Sequence, residues 1–198
     1  IFGNLRGYGL MVFLQPVLAG SFMYLFLRQI RLSQVAALFG ALVSAYSGFV
    51  MTYLEYATMG QIMAWLPLIL YLFEKYFEKK EVRFLALAGL CFFPVLTGGF
   101  FQPAFYVLLI ASLYWLFRAK KFSLIGLGLI FIFIGIATAA LQLVPTAELL
   151  GLSIRNLDHN IVEYHYGLLP FQNLITLLAP DFFGNPVTGN FWGVMQYQ

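Results

Sequence analysis

The sequence predicts an all-α integral membrane protein: about six transmembrane helices, then an outer-face loop that carries a short interfacial helix. Three observations predict it. The 198 residues are 62% hydrophobic and only 10% charged, which is more apolar surface than a soluble core can bury. Uncharged runs recur at the length a helix needs to cross about 30 Å of hydrocarbon. The basic residues gather at alternate ends of those runs, the pattern that orients membrane helices.

Between Arg6 and Arg28 lie 21 uncharged residues, and between Arg31 and Glu55 lie 23. These predict helices over about 8–28 and 32–54. Tyr56–Phe73 adds 18 more and ends in the mixed cluster Glu74, Lys75, Glu78, Lys79, Lys80, Glu81 and Arg83, a third helix over about 57–74. The 34 uncharged residues from Phe84 to Phe117 are basic at both ends. Both ends therefore belong on one membrane face, and the run must cross twice. Its break falls at Thr97-Gly98-Gly99, between Pro94 and Pro103, where helix propensity is poorest. Helices over about 83–97 and 100–117 follow. Phe122–Thr146 supplies the sixth, over about 122–147, with Pro145 near its outer end.

With the Arg28 and Arg31 turn cytoplasmic, nine of the eleven basic residues fall inside, and Arg6 and Arg155 lie outside with five of the eight acids. Phe73, Tyr76, Phe77, Tyr114, Trp115 and Phe117 flank the inner basic clusters and read as an interfacial aromatic belt.

Residues 1–150 thus form a transmembrane bundle and 151–198 an extracytoplasmic loop. Asn, Asp, His, Gly and Pro recur in the loop, and no apolar run there is long enough to cross. LLPFQNLITLL, Leu168–Leu178, has Pro170 suited to a first helical turn and predicts an interfacial helix over about 169–178. Pro180, Gly184, Asn185, Pro186, Gly189 and Asn190 predict turns after it. The chain opens on Ile1 without a signal-peptide layout and stops at Gln198 without a closing element, so sequence is expected on both sides.

A net charge of +3 is too small to argue for a nucleic-acid partner, and Cys91, the single cysteine, rules out an internal disulfide or a Cys-based metal cluster. The Walker, HExxH, GxSxG and paired CxxC motifs do not occur. Chemistry must therefore come from scattered outer-face polar residues. Glu55 stands between two uncharged runs, where a carboxylate can act as a base or metal ligand; a solvated loop charge is the plainer identity. Arg155, nearly alone among outer cations, suits bidentate phosphate binding, or pairing with Asp158 or Glu148. Asp158, His159, Glu163 and His165 match no defined ligand spacing, so no metal site is assigned. Asp181 follows the interfacial helix, where it can cap a turn or do chemistry.

Four stretches carry a family resemblance: SGF (Ser47–Phe49), AWLPLILYLFEK (Ala64–Lys75), LQLVPTAELLGLSIR (Leu141–Arg155) and LLPFQNLITLLAPDFFGNPVTGNFWG (Leu168–Gly193). They resemble the bacterial YfhO-like membrane proteins, of the GT-C class of polyprenyl-linked-sugar glycosyltransferases. The resemblance implies a larger multi-pass enzyme of the bacterial cytoplasmic (inner) membrane. Such an enzyme moves a sugar from a polyprenyl-phosphate carrier to a cell-envelope acceptor glycan or polymer at the outer face. Its partners are the bilayer, the lipid-linked sugar and the acceptor; participation of a divalent cation stays open.

In that class the main catalytic carboxylate lies in the first outer loop, here expected upstream of Ile1, which leaves Glu55 and Asp181 as secondary candidates. Relatives carry a histidine before the WLPL motif, where this chain has Glu55 and Tyr56, a departure that weakens the carry-over to this loop. Ser153 and Arg155 match the end of the helix-six motif, and Asp181, Phe183, Gly184 and Asn185 the outer-loop motif. The resemblance sets Arg155 against the lipid phosphate, with Ser153 and Asn185 near it; His159 and His165, outside the matched stretches, join the substrate-binding candidates as outer-face polar residues. Two rivals stay open. A transporter or flippase needs polar groups within the spans, where Gln102 and Gln142 come nearest. A non-catalytic assembly subunit needs only a loop that packs against a partner.

Overall fold

Uncharged runs become helices because a helix satisfies every backbone polar group within its own segment, the condition hydrocarbon imposes. The computed structural model describes residues 4–54, 56, 59–119, 122–152 and 171–193. Among these, the α-helices are α1 (Asn4–Gln29), α2 (Gln34–Ala45), α3 (Gly48–Thr52), α4 (Met59–Lys79), α5 (Arg83–Leu96), α6 (Phe101–Arg118) and α7 (Phe122–Gly151), with 3-10 turns at Phe171–Leu177 and Pro186–Thr188. The chain divides into two compact units, Ile1–Thr146 and Ala147–Gln198.

Among the described residues, four segments are long and apolar enough to cross a membrane: Gly7–Gln29, Gln34–Thr52, Phe101–Arg118 and Gly126–Gly151. Two of the six expected crossings are not among them. The helix expected over 57–74 runs on to Lys79 as α4 and takes the charged cluster into its last turns. α5 has 14 residues and rises only about 21 Å at 1.5 Å per residue.

The helix expected over 32–54 is split. Ser47 accepts a hydrogen bond from the Val50 amide at 3.4 Å and caps α3, so Tyr46 and Ser47 separate α2 from α3. Serine offers the backbone a partner outside the ladder, and Gly48 gives helix little support.

In the first unit α4 is the central helix, packing against α1, α5 and α6. Its buried residues include Ile62, Ile69, Phe73, Glu74 and Tyr76, which spread over more than one face. An aromatic core ties α4 to its neighbours: the Phe73 ring lies 5.1 Å from Trp115 and 4.9 Å from Phe131, and Phe92 stacks on Phe131 at 5.6 Å. This corrects the aromatic belt. Phe73, Tyr76 and Trp115 are at most 4% exposed, whereas Phe117, at 82%, faces outward. Trp115 satisfies its indole N–H inside the core by donating to the Leu124 carbonyl at 3.1 Å.

Helix α7 approaches α5 through paired glycines, the small-residue contact that lets membrane helices pack closely. A Cβ on Gly89 would lie 2.7 Å from Ile134 Cβ and 3.0 Å from the Phe131 carbonyl oxygen; one on Gly135 would lie 2.7 Å from Phe92 Cβ. Because Ile134 Cβ is the rigid root of its side chain, α7 itself must move. Gly89→Val is therefore expected to cost about 1–3 kcal/mol, read as a lower thermal midpoint in detergent. A midpoint equal to the parent's would mean the crossing is looser than these distances.

Candidate functional site

Of the residues singled out from sequence, Glu55, Ser153, Arg155, His159 and His165 lie outside the described residues. Asp181 and Asn185 lie within them, in the second unit. The segment before them differs from expectation: the interfacial helix predicted over 169–178 is a 3-10 turn, Phe171–Leu177. Seven residues are too few to repay α-helix nucleation, and Thr176 Oγ1 donates to the Asn173 carbonyl three residues back at 2.6 Å.

Residues 181–192 then form a hairpin held by its own asparagines. The Gly184 amide donates to the Asp181 carbonyl at 2.9 Å, and the Trp192 amide to the Phe183 carbonyl at 2.8 Å. Asn190 Oδ1 accepts from the Asn185 amide and from Thr188 Oγ1, both at 2.8 Å. Asn185 Oδ1 accepts from the Val187 amide at 2.9 Å, an Asx-turn. Gly184 is required at the crossing point: its φ is +82°, and a Cβ there would sit 2.2 Å from the Asn190 carbonyl oxygen.

One side of the hairpin is aromatic. Trp192 lies 4.9 Å from the Phe183 ring and 5.8 Å from Phe182, and is 65% exposed. The Asp181 side chain is exposed and takes no part in the turn's hydrogen bonds among the described residues. Asn185 has the opposite role: both its amide and its side-chain oxygen are spent on the fold. An exposed carboxylate and an exposed indole carried by the same hydrogen-bonded hairpin suit recognition of a polar ring that also has an apolar face.

Two further polar groups in the first unit went unread in the sequence. Glu74, 8% exposed, holds Arg118 through Nε to Oε1 at 2.6 Å and Nη2 to Oε2 at 2.7 Å, while Tyr114 donates its hydroxyl to Oε1 at 2.7 Å. The pair joins α4 to α6. Glu74 looked like one more solvated charge in a cluster, because its partner lies 44 positions away. Gln15 is 1% exposed, within α1; its Nε2 donates to the Leu54 carbonyl at 3.4 Å, and its Oε1 has no partner among the described residues. The Gln-Pro step at Gln15–Pro16 was the available signal, since Pro16 withholds an amide and leaves the Val12 carbonyl without its helical donor.

Composition and fold together define a class: an all-helical chain with helices long and apolar enough to cross a membrane. No family model, curated protein or solved structure matches it.

Proposed function

We propose that this chain is part of a multi-pass membrane glycosyltransferase that moves a sugar from a polyprenyl-phosphate carrier to a cell-envelope acceptor, with 151–198 on the extracytoplasmic side. The observation that carries the reading is the hairpin at 181–192, which carries an exposed Asp181 carboxylate and an exposed Trp192 ring on one ordered turn. A pyranose has apolar C–H faces and a hydroxyl rim, so an indole and a carboxylate together match it. The six-crossing topology belongs to the same reading, with α4 and α5 as the remaining crossings and the basic clusters on the cytoplasmic side.

Mechanistically, departure of the carrier phosphate needs positive charge, and the acceptor hydroxyl needs a base. Arg155 is assigned the first task. Asp181 is assigned contact with the sugar, and Glu55 stays a secondary candidate for the base. The test is transfer of radiolabelled sugar from a polyprenyl-phosphate donor in membranes with and without the protein. Arg155→Ala is expected to lower transfer by at least about tenfold, the scale of a lost charge-assisted hydrogen bond, with membrane insertion unchanged. Arg155→Lys is expected to be impaired as well, because a point charge lacks the guanidinium fork. Unchanged transfer in Arg155→Ala would remove that residue from the reading.

A second reading, a transporter or flippase, is favoured by Gln15, a polar group buried within a membrane-length helix, whose Oε1 has no partner among the described residues. Movement of the lipid-linked substrate without covalent transfer would select it.

A further inference from the structure

The C-terminal ends of α1, α4 and α6 enclose an open cleft of about 490 Å³, within the range of small-ligand sites. Its charged lining is balanced, with Arg31 and Arg118 facing Glu74 and Glu78. Those four groups are unequally committed. Both Glu74 oxygens are taken by Arg118 and Tyr114. Arg118 meets Glu74 through Nε and Nη2, which leaves Nη1, on a side chain 37% exposed.

Glu78 Oε2 accepts from Gln29 Nε2 at 2.8 Å and faces Lys75 Nζ at 3.6 Å, while its Oε1 makes no hydrogen bond among the described residues. The Gln29 amide, with the Lys75 ammonium behind it, holds the Glu78 carboxyl below the usual carboxylate range, so it stays ionised. The Arg31 side chain has no hydrogen bond or ion pair among the described residues.

Arg31 is also held in an unfavourable conformation. Its φ is +68°, and its amide donates to the Arg28 carbonyl while the Leu32 amide donates to the Leu27 carbonyl, both at 3.1 Å. That is a Schellman closure, in which glycine is the unstrained choice. The helix dipole does not require a cation there, since Arg28 already occupies the last turn and donates to the Leu32 carbonyl at 2.7 Å. A strained residue with an unused charge, at the lip of a cleft, points to a ligand.

We infer that this cleft binds a phosphoethanolamine group, with the phosphate on Arg31 and Arg118 Nη1 and the ammonium on Glu78 Oε1. A purely anionic group would be repelled by Glu74 and Glu78, and a purely cationic one by the two guanidiniums. A zwitterion satisfies both. A choline ammonium has the same charge but no N–H to give Glu78, so it binds less well. The group can come from a phospholipid headgroup or from a soluble phosphoethanolamine.

The test uses the full chain in nanodiscs of phosphatidylcholine doped with either phosphatidylethanolamine or phosphatidylglycerol, reading retained lipid by native mass spectrometry. In a parallel arm, soluble phosphoethanolamine, inorganic phosphate and ethanolamine are compared by thermal shift. The ethanolamine lipid is expected to be retained at least about tenfold over the other two, as for a charge-assisted contact. Arg31→Gly relieves the backbone strain, so its thermal midpoint should not fall, yet it should lose that preference; Glu78→Gln should lose it too. A thermal shift with soluble phosphoethanolamine alone would assign the soluble source, and lipid retention without that shift the headgroup. Phosphatidylglycerol retained as strongly as a specifically retained phosphatidylethanolamine, a preference that survives Arg31→Gly, or no response in either arm would overturn the inference.

Discussion

Arg118→Ala is expected to destabilise the detergent-solubilised protein by about 3 kcal/mol, read as a lower thermal midpoint. Removing one member of a buried ion pair costs about 3–5 kcal/mol because the other charge is left without compensation. The low end applies because the Arg118 side chain is 37% exposed, against 10% for Glu74. The Tyr114 hydroxyl stays on Oε1 but cannot neutralise a charge. The two partners are not equivalent. Glu74→Leu leaves a guanidinium that can turn toward solvent, so its cost should be smaller, about 1–2 kcal/mol. The double variant Glu74→Leu with Arg118→Leu should be less destabilised than Arg118→Ala alone, since a buried pair is often replaced by apolar groups at little cost. Equal costs for the two single variants would mean that water reaches Glu74 freely.

Gly184→Val is expected to open the 181–192 hairpin locally without unfolding the helices of the first unit. A β-branched residue at positive φ costs on the order of 1–3 kcal/mol, and here its Cβ would also press to 2.2 Å from a backbone carbonyl, that of Asn190. A combined cost of about 3 kcal/mol corresponds to roughly a hundredfold faster amide exchange at Asn185, Val187 and Trp192. Those are the amides the hairpin protects. Gly189→Ala is the control: its φ is +69° but nothing lies within 4 Å of its Cβ position, so strain alone should cost about 1–2 kcal/mol. Exchange unchanged in Gly184→Val would mean that the hairpin is not held at this crossing. On the transferase reading the same variant should lower sugar transfer, because Asp181 and Trp192 would lose their common frame.

The helical character was legible from charge spacing, since an uncharged run between basic clusters needs only its own backbone hydrogen bonds to become a helix. The stop at Leu96 and restart at Phe101 were legible for the same local reason, in Thr97-Gly98-Gly99. The split between α2 and α3 has a local signal in Ser47 and Gly48, a capping serine before a residue of poor helix propensity, which the length of the uncharged run hides. For the hairpin, Pro, Gly and Asn announced turns. That Asn190 would be the lock, accepting from both Asn185 and Thr188, depends on how the turn closes and has no signature in spacing.

By itself the sequence determined an all-helical chain whose apolar runs reach membrane-crossing length, together with the ends at which its charges gather. These are properties of single segments, set by composition and backbone hydrogen bonding. Only the tertiary structure decided that Glu74 is buried against Arg118 and that Phe73, Tyr76 and Trp115 are core. It also set Arg31, without a side-chain partner among the described residues, and Glu78, whose Oε1 makes no hydrogen bond among them, around one cleft. Burial and pairing belong to two or more helices at once, and residues 44 positions apart become neighbours only when α4 and α6 pack.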